Sequence, residues 1–329
     1  MSEISVGILG LGSYVPEKVI TNYDLEKVMD TSHQWIVERT GIHERRNVTE
    51  GQATSDLAAK AAEKALADAG IGPEEIDLII VGTVTPDMFF PSVACLVQDR
   101  IKAYNAAAFD LTAVCSGFIY GLVTASAFIK NGTYRKILVI GAETLSTITD
   151  KEDRNTAILF GDGAGAVVLG ETEPGYGILG FDLGAEGTGG DLLKVPAGGT
   201  RQPVTAETIA NKLHFIQMNG NEVFKFAIKV MGETVKKALA AAQLTPQDIT
   251  CLVPHQANLR IIQSAANRLG LPMDKVVVNV DKYGNTSAAS VPIALDEGVK
   301  NGRIKKDDVI ALAGFGGGLT WGAAIIRWF

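Results

Sequence analysis

The chain is written twice, and that repetition restricts its fold more than any single motif. Segments of the first half recur in the same order in the second, at an offset of roughly 170 residues. Lys60-Ala61-Ala62-Glu63-Lys64-Ala65-Leu66-Ala67 is echoed by Glu233-Thr234-Val235-Lys236-Lys237-Ala238-Leu239-Ala240. Each copy runs through a proline turn into an apolar stretch: Pro73 to Leu78-Ile79-Ile80, and Pro246 to Cys251-Leu252-Val253. Residues 136–141 return as 308–313, and both halves close on a Gly/Ala-rich segment, 163–170 and 316–327. Generic helix–strand cadence produces isolated echoes. Several echoes in one order at nearly one offset predict a duplicated β/α unit, divided into residues 1–172 and 173–329.

Hydrophobic patterning gives the content of each unit. Residues 4–10, 77–82, 106–111, 136–141 and 164–170 are expected strands, and 55–70 and 116–131 expected helices. Such alternation predicts a largely parallel sheet covered by helices on both faces. The uncharged run between Asp110 and Lys130 is nearly long enough to span a membrane. Thr112, Cys115, Ser116, Thr124 and Ser126 interrupt it, so a helix buried inside an α/β protein is the better reading. Residues 184–205, rich in Gly, Pro and Thr, are too long for an ordinary connection and read as either a functional lid or a solvated linker.

Charge and cysteine usage narrow the class. Lys plus Arg is 30 against 37 Asp plus Glu, a net charge of −7, which disfavours a general nucleic-acid binder. Cys95, Cys115 and Cys251 have no metal-ligand cadence and cannot all pair. They fit a reducing cytosol, as does the lack of a basic, apolar leader after Met1. Neither a membrane nor a nucleic-acid partner is expected.

Three residues stand where chemistry is done. Cys115 follows an apolar strand after a short turn and precedes a helix, where unpaired N–H groups and the helix dipole are expected to lower its pKa and make it a nucleophile. A small buried hydrophobe is the bland alternative, and Cys95 and Cys251 keep it. His255, in Pro254-His255-Gln256-Ala257-Asn258, ends a predicted strand, where open parallel sheets place ligands. His33, His43 and His214 lie in charged or irregular segments. Asn285, in Tyr283-Gly284-Asn285-Thr286-Ser287, follows a predicted strand over 275–280 and suits a turn or helix cap. The offset that starts at Cys115 lands on Asn285 or its neighbour, so the two are expected on corresponding turns. The tail Gly314-Phe315-Gly316-Gly317-Gly318 can turn backbone N–H groups into a site. Gly161-Asp162-Gly163-Ala164-Gly165 opens no helix and is not a dinucleotide or phosphate loop.

This ordered set resembles the thiolase-fold condensing enzymes, and within them the β-ketoacyl-acyl carrier protein synthase III family. The resemblance spans the chain: Thr31-Ser32-His33-Gln34-Trp35-Ile36, Arg39-Thr40-Gly41-Ile42, Cys115-Ser116-Gly117-Phe118, Phe160 to Ala166, Asn221-Glu222-Val223-Phe224-Lys225 and the 314–322 tail. It implies a thiolase-like α/β fold of two duplicated halves in five αβαβα layers, and a homodimer. It implies that Cys115 takes an acyl group from an acyl-CoA, with backbone N–H groups of Cys115 and Gly318 as oxyanion hole. His255 and Asn285 would then stabilise the enolate of decarboxylating malonyl-acyl carrier protein, with no metal or redox cofactor and coenzyme A only as part of a substrate. By the same resemblance, Thr31, Trp35, Arg39, Arg154, Gly220, Phe224, Ala257 and Asn258 bind coenzyme A. Lys225, Arg260 and Arg268 receive the acidic carrier protein, and Phe90 reaches a partner subunit's acyl pocket. His33-Gln34 departs from the acidic pair that many members carry before the tryptophan, removing negative charge near the coenzyme A entrance. A quinolone- or polyketide-priming synthase shares the same nucleophile. A papain-type hydrolase also uses Cys, His and Asn, but does not explain the duplication; a non-catalytic coenzyme A binder is the remaining alternative.

Overall fold

A computed structural model describes residues 4–329. One five-stranded sheet contains β1 (Val6–Tyr14), β2 (Leu78–Gly82), β3 (Ala107–Leu111), β4 (Ile137–Thr144) and β5 (Asp162–Glu171), ordered β1-β5-β4-β2-β3. A four-stranded sheet contains β6 (Gly177–Ala185), β7 (Cys251–Pro254), β8 (Val309–Gly316) and β9 (Thr320–Arg327), ordered β7-β8-β9-β6. β2 is parallel to β3 and β4, as β7 is to β8. β5 is antiparallel to β1 and β4, as β9 is to β6 and β8. The second sheet thus repeats the first in order and direction. Only its outermost strand is reduced, to a single parallel bridge between Leu252 and Val276. This corrects the strand expected over 275–280. Gln256 Oε1 accepts the N–H groups of Asn279 (3.0 Å) and Val280 (3.1 Å), so a side chain supplies what a ladder would, and the chain turns into Val280–Tyr283.

Strand alternation sorts the helices into layers. Leu78, Ile80, Ile137 and Val139 face a central core with Phe118, Leu122 and Leu295. Their neighbours Ile79, Val81, Leu138 and Ile140 face outward onto Thr54–Ala69 and Val93–Arg100. In the second sheet Val253, Ile310 and Leu312 face the same central core, while Leu252, Val309 and Ala311 meet Gly220–Ala241 and Leu259–Leu269. In chain order the principal helices are α1 (His33–Thr40), α2 (Thr54–Ala69), α3 (Val93–Arg100), α4 (Gly117–Lys130), α5 (Gly220–Ala241), α6 (Leu259–Leu269) and α7 (Ser290–Lys300). The layers run α2/α3, first sheet, α4/α7, second sheet, α5/α6. α4 is apolar all round because it lies between two sheets, which accounts for the long uncharged run. No helix among the described residues is long and apolar enough to cross a membrane.

Backbone geometry fixes the register of the repeat. Val114 (φ 49°) and Ser287 (φ 47°) are both held in the left-handed region. Each opens a 3-10 turn, Val114–Ser116 and Ser287–Ala289, that runs into α4 and α7. These residues are 173 positions apart, as are Pro73 and Pro246, which open matching 3-10 turns. Cys115 therefore corresponds to Ala288, and Asn285 to Thr112. The expected equivalence of Cys115 and Asn285 is off by three residues, a shift that low sequence identity hides and a positive φ exposes.

The two turns are in direct contact. A Cβ on Gly117 would lie 3.5 Å from Ala288 Cβ, and one on Gly141 of β4 would lie 2.2 Å from the Ala288 carbonyl oxygen. Only glycine permits that approach. Gly141→Ala is expected to lose about 1–3 kcal/mol by overpacking, read as a lower urea or thermal midpoint. An unchanged midpoint would mean that the halves meet more loosely here than the geometry requires.

Candidate active site

The paired turns bring residues from both halves to one cavity of about 730 Å³, whose wall includes Cys115, His255 and Asn285. Cys115 is buried at the head of α4. β8 passes behind it: a Cβ on Gly316 would lie 2.6 Å from the Cys115 nitrogen, and one on Gly314 3.8 Å from His255 Cβ. His255 continues β7, its N–H donating to the Ala313 carbonyl at 2.7 Å. Asn285 is pinned to the first half, donating its N–H to Leu159 (2.8 Å) and accepting from Gly161 (3.0 Å).

Hydrogen bonding orients both polar side chains. Asn285 Oδ1 accepts the Ser287 N–H at 2.9 Å, which leaves Nδ2 as the amide's free donor end. Ser290 Oγ lies 2.5 Å from His255 Nδ1 and accepts the Gln256 N–H at 3.4 Å. A hydroxyl both donates and accepts, so Ser290 holds the ring at Nδ1 in either neutral tautomer and leaves Nε2 facing away from that bond. Phe315 packs edge-on against the imidazole, ring centroids 5.4 Å apart.

Burial dominates the electrostatics. It pushes the Cys115 thiol up to about 12, against a hydrogen bond from Ser287 that favours the thiolate; nearby Glu143 pushes the same way as burial. Burial likewise drives His255 down to about 3, so its ring is neutral at physiological pH. Fully buried Glu143 is pushed up to about 7 even though it accepts from Thr85 Oγ1 (2.6 Å), the Val84 N–H (3.2 Å), Ser287 Oγ (3.1 Å) and Thr83 Oγ1 (3.3 Å).

Of the other residues singled out in the sequence, Trp35, Arg39, Gly220, Phe224, Ala257, Asn258 and Arg260 line the same cavity. Arg39 and Arg154 lie on Trp35, each guanidinium 4.8 Å from the ring centroid, and Arg154 also donates to the Asp30 carbonyl at 3.0 Å. Arg260 covers Phe224 at 5.3 Å. Thr31 and Arg154 are off the cavity wall. Lys225 is exposed and paired with Glu222 at 2.7 Å, while Arg268 lays its stem across Gly232 of α5. Gly318 does not line the cavity; Gly316 is the glycine of that tail which does. Phe90 is 84% exposed beside Phe89 at 83%, and neither meets the site within one chain.

Sequence reasoning passed over two features. One is a mainly apolar side pocket of about 220 Å³ opening at Cys115, walled by Val84, Leu145, Ile148, Val195 and Ile216. Leu193 borders both cavities, so part of the glycine-rich 184–205 segment is ordered wall. The other is the Ser287–Glu143 pair behind Cys115. Its signal was a lone glutamate closing an apolar strand, Ile137 to Glu143.

Comparison with known proteins places this architecture. The profile described as "3-Oxoacyl-[acyl-carrier-protein (ACP)] synthase III" matches residues 109–187, and the C-terminal profile of the same name matches 239–328. A β-ketoacyl-[acyl-carrier-protein] synthase III of Caldanaerobacter subterraneus subsp. tengcongensis is 60% identical over 326 residues, 99% of this chain and 98% of the relative. One from Desulfitobacterium hafniense is 58% identical over 325 residues, with the same coverage. The crystal structure of 3-oxoacyl-[acyl-carrier-protein] synthase III from Aquifex aeolicus superposes with a TM-score of 0.92 at 47% identity, covering 98% of this chain and all of that one.

The depressed histidine carries a pH consequence. Its unfolded-state pKa is near 6.5 and its folded value about 3, so between those limits only the unfolded chain takes up the proton. The contribution is fully present above pH 6.5 and is lost as pH falls, by at most about 1.4 kcal/mol per pH unit. His255→Gln is therefore expected to show a flatter loss of melting temperature between pH 6.5 and 4 than the parent protein. Parallel curves would place the imidazole in a wetter setting.

Proposed function

The chain belongs to the 3-oxoacyl-[acyl-carrier-protein] synthase III family, and we propose that Cys115, His255 and Asn285 carry out its two half-reactions. It is an acyl-transferring condensing enzyme that initiates fatty acid synthesis by condensing a primer with malonyl-acyl carrier protein. The observation that carries the residue assignment is the sharing of one cavity by a thiol from the first half and two neutral proton donors from the second.

In the first half-reaction the pantetheine arm of an acyl-CoA passes Phe224, Ala257 and Asn258, with its nucleotide end at Trp35, Arg39 and Arg154. Cys115 attacks the thioester carbon and coenzyme A leaves as thiolate. The acyl chain lies in the pocket of about 220 Å³, a volume suited to short primers. In the second, malonyl-acyl carrier protein enters along the path that coenzyme A vacated, with Arg260, Lys225 and Arg268 facing the acidic carrier. His255 Nε2–H and Asn285 Nδ2–H donate to the malonyl thioester oxygen. As carbon dioxide departs they stabilise the enolate, whose carbon attacks the acyl-Cys115 carbonyl. Backbone N–H groups at Cys115 and in the 316–318 tail are the oxyanion donors proposed for the tetrahedral intermediate.

The division of the chain at 172/173 falls between β5, ending at Glu171, and β6, starting at Gly177. A homodimer is supported by the exposed Met88-Phe89-Phe90 tip, which carries the apolar surface that an interface would cover.

Intact-mass spectrometry after acetyl-CoA treatment is expected to give one acyl adduct, absent in Cys115→Ala. Cys115→Ala should still decarboxylate malonyl-acyl carrier protein while forming no condensation product. His255→Ala and Asn285→Ala should acylate normally yet lose about 10²–10³-fold in condensation. A chain that binds coenzyme A but never forms the adduct would be a binding protein and would sink the reading.

A further inference from the structure

We propose that Gln256 is a positioning residue for the condensation half-reaction, its side-chain amide setting the separation of His255 from Asn285. The proposal rests on those two residues activating the malonyl thioester.

The two reach the cavity on different segments of the second half. His255 continues β7, and Asn285 follows the short helix Val280–Tyr283. The segment leading to that helix runs beside β7 but joins its ladder only at the bridge between Leu252 and Val276. A full ladder would hold two such segments at a fixed spacing. Beyond the bridge, one side chain does so instead.

The Gln256 amide is buried and fully engaged. Nε2 donates to the Pro254 carbonyl at 2.8 Å and to the Val277 carbonyl at 3.1 Å. Oε1 accepts the N–H groups of Asn279 at 3.0 Å and Val280 at 3.1 Å. A primary amide has two donors and two acceptor lone pairs, so its capacity is used up. Pro254 stands immediately before His255. Asn279 and Val280 start the helix that delivers Asn285. The Gln256 N–H also donates at 3.4 Å to Ser290 Oγ, the hydroxyl 2.5 Å from His255 Nδ1. Gln256 therefore holds the supports of both residues: the backbone before the imidazole, the serine on its ring, and the chain that carries the carboxamide.

The other half of the machinery is anchored separately. Gln256 does not line the cavity and touches no substrate. Asn258, on the cavity wall two residues further on, donates to the Arg39 carbonyl at 3.0 Å and accepts the Arg260 N–H at 2.8 Å. Cys115 belongs to the first half, at the head of α4. Loss of the Gln256 amide should thus displace the two donors while the thiol and the coenzyme A path stay in place.

Gln256→Glu and Gln256→Met test this with the two half-reactions timed separately. The first keeps the shape and the acceptors but turns a carboxylate onto the Pro254 and Val277 carbonyls. The second is uncharged, fills the space and makes none of the four bonds. In each, the acetyl adduct on Cys115, followed by intact mass, should form at the parental rate. The kcat for condensation should fall about 10²-fold, the cost of misplacing a positioned group by about 1 Å. KM for malonyl-acyl carrier protein should not change. Gln256→Met combined with His255→Ala should lose less than the product of the two single losses, because the amide acts through the donors. Parental kcat in both variants overturns the proposal, as do losses that multiply. Acylation and condensation falling together would make the amide a general brace of the fold and also overturn it. If the parent condenses but His255→Ala and Asn285→Ala condense equally well, the proposed function has failed and the positioning role with it.

Discussion

The structure depends on the contact of two backbone turns across a pseudo-symmetric interface. A Cβ on Gly82 would lie 2.8 Å from the Gly117 carbonyl carbon, and one on Gly141 would strike the Ala288 carbonyl. Strand ends of the first half and helix starts of both halves therefore approach at backbone distance. Any larger side chain would push α4 and α7 apart, and Cys115 would recede from Ser287 and Asn285. The cavity exists because these positions carry no side chain, so site geometry and stability of the central layer are one constraint.

The same close packing makes the site dry. Burial drives the thiol up to about 12, the imidazole down to about 3 and the internal carboxyl up to about 7. Each shift opposes the charged form, so the resting interior tends to neutrality while guanidinium groups collect at the mouth, where Arg39 and Arg260 meet solvent. A negative ligand is attracted at the entrance, and inside it finds neutral donors already aimed. His255 and Asn285 are held in place by Ser290 and by the Ser287 N–H, and low dielectric strengthens those hydrogen bonds.

Much of this was legible in the sequence. The duplication appeared as repeated cadence, but residues 78–82 and 137–140 are apolar throughout, so which side chain meets which layer came only with the fold. Cys115, His255 and Asn285 stood out as polar groups ending apolar runs. Position within a turn was less legible. The repeat offset was three residues off, because the marker of the register is the left-handed backbone at Val114 and Ser287, not a shared side chain. The helix start at Cys115 is visible in sequence, whereas the depth at which the thiol is buried is not. Gly318 and Gly316 are indistinguishable within a run of glycines until β8 is placed. Glu143 was visible as a charge in an apolar strand, but its partners come from residues 83–85 and 287, which only the fold assembles.

Duplication also explains why the chemistry divides as it does. Equivalent turns at the heads of α4 and α7 offer the same backbone geometry twice, yet only one carries a thiol: Ala288 stands where the second would be. With alanine there, the second turn is free to serve the first. It sends the Asn285 amide into the cavity from one side of the turn and the Ser287 hydroxyl behind the sulfur from the other. One loop of the second half thus meets the first half's nucleophile on two fronts. Its amide lines the cavity, and its hydroxyl donates to Glu143 behind it.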